Sequence, residues 1–407
     1  LPFMLIDDMK FFRRQEIKDV LAFLKLIVNK HDTASCIRLL NRFGRGIGPA
    51  TIRKIAAAAY RAAGIRITDY LDDAARRFGD PFAVLLTALD EENVVVFDVE
   101  ATGLDATRDE IIQIAGIRLA KDGKAKAKFN RLLTPSISVG TSERVHHITD
   151  AWLREHGENA RDVLQAFCAF AKGSVIVGHN VTYDLSILGS HLARLGLPQL
   201  DFRTYYDTLD LFRRFYPELP NYKLSYLGKF CSVSHESTHD AFDDIRATAE
   251  ILHYVVEHDV RPHEKERRIY MAKWKDGFED FAMHMHAFRE AAGTLRPWQL
   301  LGRIVVDAGI DAYYRARREE QRIENLRDLF RQARDFDDPS MRPMDAVLRF
   351  LRYATLSTTE LDALSTHPKI PILTIHQAKG TEFDYVFLAG LQEGTFPCSN
   401  ILTDSKV

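Results

Sequence analysis

The apolar positions of the chain follow a helical period over roughly the first 90 residues. They recur at the spacing of one helix face from 11 to 28, and the stretch 65–90 is again helical in composition. Between these segments, the glycine-rich turn at 44–48 precedes a second helix, which we expect to end near Gly64. The pattern therefore predicts a helical leading segment.

After this segment, short apolar and β-branched runs replace the helical period. The predicted strands are VVVF (94–97), IIQIAGIRLA (111–120), KFNRLLTP (128–135) and SVIVGH (174–179), with a hairpin turn at DGK (122–124). Helices are predicted at 161–171 and from Tyr183 onwards. This interleaving predicts a mixed α/β domain from about Glu91 to Glu257.

From Val260 to about His367 the pattern is helical again, and PILTIHQAKG and FDYVFLAG near the end predict buried strands. The simplest architecture is an α/β domain inserted into a mostly helical one, whose two halves flank it. Such insertions are tolerated when the two ends of the insert lie close together.

Composition narrows the class of protein. The chain has 407 residues, 46% of them hydrophobic and 28% charged, which predicts a soluble globular protein of two or three units. It has no uninterrupted apolar run long enough to span a membrane. The opening LPFMLIDDMK lacks an initiator Met and a signal pattern, so we expect an excerpt of a longer cytoplasmic protein. Four cysteines without CxxC spacing predict reduced thiols.

Charge is distributed unevenly along the chain, although its net value is only −2. Residues 1–89 carry 15 Lys/Arg against 9 Asp/Glu, whereas 90–257 carry 18 against 25. A basic leading segment favours contact with phosphates, and an acidic middle favours metal binding.

Asp98 and Glu100 follow the run VVVF as D-x-E, so an extended strand would place both carboxylates on one face. Asp184 follows the strand at 174–179 and lies in the first turn of the next helix. Each feature also has a plainer interpretation, an acidic strand end or a helix-dipole partner.

A third element, STHDAFDDIRATAEIL, carries His239 just before a helix and Asp244 one turn into it. Asp243 points about 100° away from Asp244, so only one of the two can face the site. A lone His is more often an ordinary surface residue. Four carboxylates and one His in a single α/β domain nevertheless favour two Mg²⁺ or Mn²⁺ ions rather than zinc. His239 is suited to accept the proton of an attacking water.

The motifs DVEATGL, GHNVTYDL and HDAFDD resemble the three signatures of DnaQ-like exonucleases of the DEDDh type. VHHITD, DTLDLFR and YKLSYLGKF add to a resemblance over roughly 160 residues. It implies a ribonuclease-H-like α/β fold with a mixed sheet and 3′→5′ polarity. It also implies metal binding by Asp98, Glu100, Asp184 and Asp244, with His239 as the general base.

The same resemblance implies that Thr102 and Leu104 contact the terminal 3′ nucleotide, and that Asn180 belongs to the substrate site. One departure is His147, where relatives usually have glycine. A further motif, HESTH at 235–239, matches the zinc-protease pattern HExxH, which needs both histidines on one helix face. The residues before Thr238 favour capping over helix, so we expect no protease site.

The flanking segments resemble UvrD/Rep-type superfamily 1 DNA helicases. LPFMLIDDMKFFRRQEIKDVLAFLKL, RFGRGIGPATIRKI and RIENLRDLF resemble the second RecA-like domain and the 2B subdomain, and ILTIHQAKGTEFDYVFLAGLQEGTFP resembles motif V. The residues that this resemblance places in motif V are His376, Lys379, Gly380 and Glu382. It places Arg45, Gly46, Ile47 and Gly48 in a loop that contacts the DNA duplex; a tight turn between packed helices is the alternative.

The sequence has no G-x-x-x-x-G-K-[ST] motif, so we predict no ATPase activity for this chain and ATP binding only in the intact helicase. The predicted domains are 1–25 (RecA-like 2A), 26–89 (2B, first part), 90–257 (exonuclease), 258–368 (2B, second part) and 369–407 (2A with motif V). The predicted function is 3′→5′ hydrolysis of DNA by a bacterial, monomeric protein. A non-catalytic DNA-binding module and an RNA exonuclease remain alternatives.

Overall fold

The computed structural model describes residues 3–5, 11–44, 46–233, 240–356, 370–372 and 384–392. The chain divides into two compact units. One comprises residues 1–24, 292–306 and 311–407, and the other comprises 25–291 and 307–310. In the described ranges, no helix combines the length and the apolar character needed to cross a membrane.

The leading segment is helical, as predicted. Its elements are β1 (Phe3–Leu5), α1 (Gln15–Val28), α2 (Thr33–Phe43), α3 (Pro49–Ile55), α4 (Ala58–Ala62), a 3₁₀ turn (Ile67–Leu71), α5 (Asp73–Phe78) and α6 (Ala83–Asp90). The single helix expected to end near Gly64 is in fact two, because Ala57 is extended with ψ 159°. This break accompanies the stacking of Tyr60 on Tyr270, with ring centroids 4.2 Å apart.

A five-stranded mixed sheet forms the centre of the α/β segment. Its strands are β2 (Val94–Ala101), β3 (Ile111–Leu119), β4 (Ala125–Leu132), β5 (Val175–Gly178) and β6 (Thr204–Asp207), in the order β4-β3-β2-β5-β6. The β2–β3 and β3–β4 pairs are antiparallel, and β2–β5 and β5–β6 are parallel. The mixed α/β class is therefore confirmed. β6 was not predicted, because its four half-buried residues carry no clear period of two.

The described part of this segment also contains seven helices: α7 (Glu143–His146), α8 (Asp150–His156), α9 (Ala160–Ala171), α10 (Val181–Arg194), α11 (Thr208–Phe215), α12 (Leu224–Phe230) and α13 (Ala241–Val255). Val94 and Val96 pack in the core that contains Ile245 of α13, whereas Val95 packs on the opposite face. Since side chains alternate along a strand, Asp98 and Glu100 belong to the face that α13 covers.

The remaining elements are a π-helical turn (Val256–Val260), α14 (Glu264–Trp274), a 3₁₀ turn (Lys275–Phe278), α15 (Glu279–Ala292), α16 (Pro297–Asp307), α17 (Ile310–Ala316), α18 (Glu320–Asp335), α19 (Pro343–Leu356) and β7 (Ile370–Ile372). β7 pairs in parallel with β1. The strand predicted at FDYVFLAG is wrong for 384–390, which form exposed coil with Phe387 94% exposed. Within the described residues this run has no neighbouring strand on which to pair.

The helical segments on either side of the α/β segment pack on each other. Arg267 donates to Asp80 at 2.8 Å, and both side chains are fully buried. Tyr70 stacks on Phe278 with ring centroids 4.7 Å apart. Removing one partner of a buried ion pair costs about 3–5 kcal/mol, so the Arg267–Asp80 pair holds the two segments together. The domain boundaries predicted above stay a prediction.

Candidate active site

Asp98 and Glu100 lie at the carboxyl end of β2, opposite Ala115 and Gln113 of β3. Burial raises the pKa of Asp98 well above its ordinary value, and the charges of Asp184 and Glu100 raise it further. A carboxylate whose neighbours are also carboxylates is destabilised when ionised, so this strand end favours a bound cation.

Asp184 lies in the first turn of α10 and is only 3% exposed. Burial raises its pKa, backbone hydrogen bonds oppose that shift, and the charges of Asp207 and Glu100 add to it. Asn180 caps α10 in the left-handed conformation, with φ 66°, and its N–H donates to Asp207 at 2.9 Å. The end of β6 is thereby tied to the start of α10.

Asp244 is in the first turn of α13, whose N-terminal cap is Asp240. Burial, followed by the charges of Asp244 and Asp240, raises the pKa of Glu100 to about 8. Asp243 instead lies 3.8 Å from Arg246 in an ion pair on the outer side of the helix. The structure thus brings Asp244 within electrostatic reach of the carboxylates on β2.

The chemistry of these four carboxylates fits a hard divalent cation. They are oxygen donors, and burial together with mutual repulsion opposes their ionisation unless positive charge is added. In the part of the chain that the structure describes, however, no three His, Cys, Asp or Glu side chains are gathered as a ready-made metal site. The carboxylates therefore lie close enough to interact electrostatically, and a bound ion would bring them closer together.

Several predicted site residues lie outside the described residues. They are the general base His239, the HESTH stretch, the loop residue Arg45 and the motif V residues His376, Lys379, Gly380 and Glu382. His239 directly precedes Asp240, the cap of α13. Its assignment stays a prediction.

Thr102 and Leu104 begin the loop that follows β2. The Thr102 hydroxyl lies 3.2 Å from a carboxylate oxygen of Asp109 and accepts the Glu110 N–H at 3.0 Å. The Tyr183 hydroxyl donates to the Gly103 carbonyl at 2.6 Å, which ties the loop to α10. Leu104 is 91% exposed beyond this braced turn, so its side chain is available to a ligand.

The described part of the predicted duplex-binding loop, residues 46–48, lies between α2 and α3. Gly46 has φ 80°, and Gly48 caps α3. Ile47 is buried, and a Cβ on Gly277 would lie only 2.9 Å from it. Its side chain packs inside the protein, which is a structural role for this residue. The assignment of the loop to DNA contact stays a prediction.

Gln113 is a site residue that sequence reasoning missed. Its side-chain amide donates to Asp240 at 3.1 Å and to Asn130 at 3.2 Å, and its carbonyl accepts the Ala241 N–H at 3.4 Å. It is 3% exposed and lies opposite Glu100 in the sheet register. The only available signal was an uncharged polar residue within the apolar run IIQIAGI.

His147 ends α7 with φ 60°, in the left-handed region that glycine adopts readily. A histidine therefore stands here in a backbone conformation that favours glycine.

The chain is similar to known proteins of two kinds. Residues 1–406 match the UvrD-like helicase C-terminal domain. Over 161 residues, 39% of the chain, it is 39% identical to a DNA polymerase III PolC-type of Lacticaseibacillus paracasei, and the match covers 11% of that protein. The PolC-type polymerase of Caldanaerobacter subterraneus is 37% identical over 162 residues, 40% of the chain and again 11% of the relative. The chain thus spans about a tenth of the length of these relatives.

Among solved structures, exonuclease X in complex with 5′ overhanging duplex DNA is similar to 40% of this chain and 91% of its own, with 23% identity and a TM-score of 0.33. The family match covers nearly the whole chain. The protein therefore belongs to the family of UvrD-like helicase C-terminal domains.

Proposed function

We propose that this chain is a divalent-metal-dependent 3′→5′ exonuclease that removes nucleotides from DNA ends, carried by a UvrD-like helicase. In this proposal ATP is bound and hydrolysed only by the intact helicase. The observation that carries it is the electrostatic proximity of Asp98, Glu100, Asp184 and Asp244, which come from one strand end and two helix starts and repel one another.

The resemblance of the relatives supports a nuclease. Their matched length, 161 residues in one case, is close to that of the α/β segment, and they are DNA polymerases of the PolC type. Shared identity of 39% lies well above chance for a segment of this size. The helicase family match supports DNA as the nucleic acid on which the segment acts.

Asp98, Glu100, Asp184 and Asp244 would hold two Mg²⁺ or Mn²⁺ ions, which would supply positive charge at the scissile phosphate. His239 accepts the proton that the attacking water loses. The water oxygen bonds to phosphorus and the bond from phosphorus to the 3′ oxygen of the preceding nucleotide breaks, which leaves a new 3′ hydroxyl.

Positioning of the DNA end falls to the loop after β2 and to α10. Thr102, Leu104 and Asn180 contact the terminal nucleotide, with Leu104 free to pack on its base because it projects into solvent. The braced loop limits the movement of these groups, which lowers the entropic cost of alignment.

The test is digestion of a 5′-labelled single-stranded DNA with Mg²⁺, Mn²⁺ or EDTA. We expect stepwise shortening from the 3′ end with either metal and none with EDTA. Asp98→Ala and Asp244→Ala should each abolish it, and His239→Ala should lower the rate by about 10²–10⁴-fold. Asp243→Ala is the matched control, since that neighbour pairs with Arg246 on the outer side of α13 and should retain activity.

Three results would contradict all or part of the proposal. Binding of 3′-tailed DNA without hydrolysis under any metal would identify a non-catalytic module instead. Hydrolysis of RNA with DNA left intact would keep the chemistry but overturn the substrate. A variant Asp243→Ala as inactive as Asp244→Ala would overturn the assignment of the fourth carboxylate.

A further inference from the structure

The N-terminal end of α11 is bonded to the turn that joins β5 to α10. The carboxylate of Asp207, which caps α11, accepts the N–H of Asn180 at 2.9 Å. The hydroxyl of Thr208 is fully buried and donates to the Gly178 carbonyl at 3.1 Å. Since α10 carries Asp184 in its first turn, this end of α11 holds the backbone from which that carboxylate projects.

The turn depends on this attachment because of its backbone conformation. Asn180 has φ 66°, and its side chain forms no capping hydrogen bond with α10. A residue other than glycine stays in the left-handed region only where the surrounding contacts support it. Asp184 lies about one helical turn after Asn180, so a change in this conformation moves the carboxylate.

The other end of α11 is bonded to the leading helical segment. The buried side chain of Arg214 donates to the carboxylate of Asp69 at 2.8 Å and to the Gly64 carbonyl at 2.9 Å. One helical turn earlier, Asp210 forms an ion pair with Arg66. Both ion pairs join α11 to the 3₁₀ turn of the leading segment and to the residues just before it.

Close packing strengthens this contact. The ring of Phe215, the last residue of α11, lies so near Gly64 that a Cβ on this glycine would collide with it. The guanidinium group of Arg214 lies 5.1 Å from the ring centre of Phe82, which is also part of the leading segment. A movement of α11 against the leading segment would therefore break buried ionic and aromatic contacts.

The 3₁₀ turn also contacts the helical segment that follows the α/β segment. Tyr70, which is adjacent to Asp69, stacks on Phe278 with ring centroids 4.7 Å apart. Its hydroxyl donates to the Tyr270 carbonyl at 2.9 Å. The turn is thus in contact with α11 on one side and with the second helical segment on the other.

We infer that Arg66 and Asp69 of the leading helical segment are positioning residues for the carboxylate site, and that they act through α11. Their ion pairs hold α11, and α11 holds the turn that begins the helix of Asp184. The helical segments thereby influence the carboxylate site without contacting it. The effect on hydrolysis rests on the proposed function, whereas the coupling through α11 does not.

The test measures hydrogen exchange of the backbone amides of residues 179–184 in the metal-free protein. Arg66→Gln removes the charge that holds Asp210, so exchange in this stretch should become roughly two- to fivefold faster. A second measurement is the Mg²⁺ concentration for half-maximal hydrolysis. It should rise by a similar factor, because Asp184 is held less firmly.

Arg203→Gln is the matched control. Arg203 pairs with Glu91 at 2.8 Å and so joins the residue before β6 to the cap of α6, without involving α11. The same substitution therefore removes a link between the same two segments but leaves the contacts of α11 in place. Exchange at 179–184 and the Mg²⁺ requirement should remain those of the wild type.

Two further variants separate local loosening from general loss of stability. Asp69→Ala removes the buried partner of Arg214, whereas Asp80→Ala removes the buried partner of Arg267 in a pair that joins the two helical segments. Both should lower the free energy of unfolding. Only Asp69→Ala should accelerate exchange at 179–184 more than exchange in β2 and β3. Since the Arg66–Asp210 pair is only partly buried, Arg66→Gln tests the inference even if Asp69→Ala does not fold.

Unchanged exchange at 179–184 in Arg66→Gln, or equal acceleration in Arg203→Gln, would overturn the inference. Faster exchange with an unchanged Mg²⁺ requirement in an active enzyme would overturn the assignment of Arg66 and Asp69 as positioning residues. Absence of hydrolysis by the wild type would contradict only the proposed function. Faster exchange in Arg66→Gln would then still support the coupling through α11.

Discussion

The side-chain amide of Gln113 donates a hydrogen bond to Asp240 at 3.1 Å, which joins the middle of β3 to the cap of α13. Gln113 faces Glu100 across the sheet, and α13 carries Asp244 four residues after the cap. The amide of Gln113 therefore helps to fix the distance between Glu100 and Asp244. Outer contacts of this type commonly change metal affinity or activity by 10–100-fold.

Replacing Gln113 with alanine should loosen the start of α13 and lower the nuclease rate by about 10–100-fold. The Mg²⁺ concentration for half-maximal activity should rise, because Asp244 is held less firmly, and stability should fall by about 1–3 kcal/mol. Activity against Mg²⁺ concentration, with thermal unfolding, measures both effects.

Gln199→Ala is the control for that variant. Gln199 is exposed and donates to the Gly189 carbonyl at 3.1 Å, so its loss should leave the Mg²⁺ requirement unchanged. A Gln113→Ala protein that loses stability at an unchanged Mg²⁺ requirement would assign the amide a purely structural role.

Asp184→Asn should stabilise the metal-free protein while abolishing hydrolysis. The substitution removes a buried charge from a group of like charges but keeps an oxygen that accepts the backbone hydrogen bonds. We expect an increase of about 1–3 kcal/mol in EDTA, which shrinks when Mg²⁺ is added.

Asp162→Asn provides the comparison, since Asp162 also occupies the first turn of its helix, α9, but on the surface. It should change stability by less than about 1 kcal/mol, in the destabilising direction. Equal loss of stability by the two variants in EDTA would show that repulsion at Asp184 is unimportant.

The decrease in the free energy of unfolding at acidic pH should depend on Asp210. Burial alone would raise its pKa, but Arg214 and Arg66 outweigh burial and lower it from 3.8 to about 2. A lowered pKa stabilises the folded state above pH 3.8, and this contribution of about 2 kcal/mol disappears as the pH falls to about 2. Asp210→Asn should therefore lose stability at pH 6 and show a flatter decline in acid.

The control for Asp210 is Glu264→Gln, which breaks an exposed ion pair with Arg268. Its unfolding curve should follow the wild type at every pH, because exposed pairs contribute little. An unchanged acid limb in Asp210→Asn would contradict the role of this carboxylate.

His147→Gly should stabilise the protein by about 0.5–1 kcal/mol. A non-glycine residue in the left-handed conformation is strained by about 1–2 kcal/mol, and glycine relieves this strain. Glycine also gives the unfolded chain more conformational freedom, which offsets part of the stabilisation. His147→Ala keeps the Cβ and should give no gain. Thermal unfolding of the two variants separates backbone strain from any effect of the ring.

Sequence patterns predicted most of the elements whose conformation depends on residues that are close together in the chain. The β-branched run at 94–97 became β2, and DGK formed the hairpin turn, where Gly123 has φ 78°. The proximity of Asp98, Asp184 and Asp244 was also predicted, because strand ends and helix starts converge at one edge of an α/β sheet.

Features that depend on contacts between residues far apart in the chain could not be predicted from the sequence. Gln113 and Asp240 are 127 positions apart, and no local pattern connects them. The break at Ala57 accompanies the stacking of Tyr60 on Tyr270, which is 210 positions away in the sequence. FDYVFLAG has the composition of a strand, but a strand also needs a neighbour to complete its hydrogen bonds.

Asp90 and Arg261 stand at the entrance and the exit of the α/β segment, and their side chains form an ion pair at 2.9 Å. The pair therefore bridges 171 positions of the sequence and links the end of α6 to the turn that follows α13.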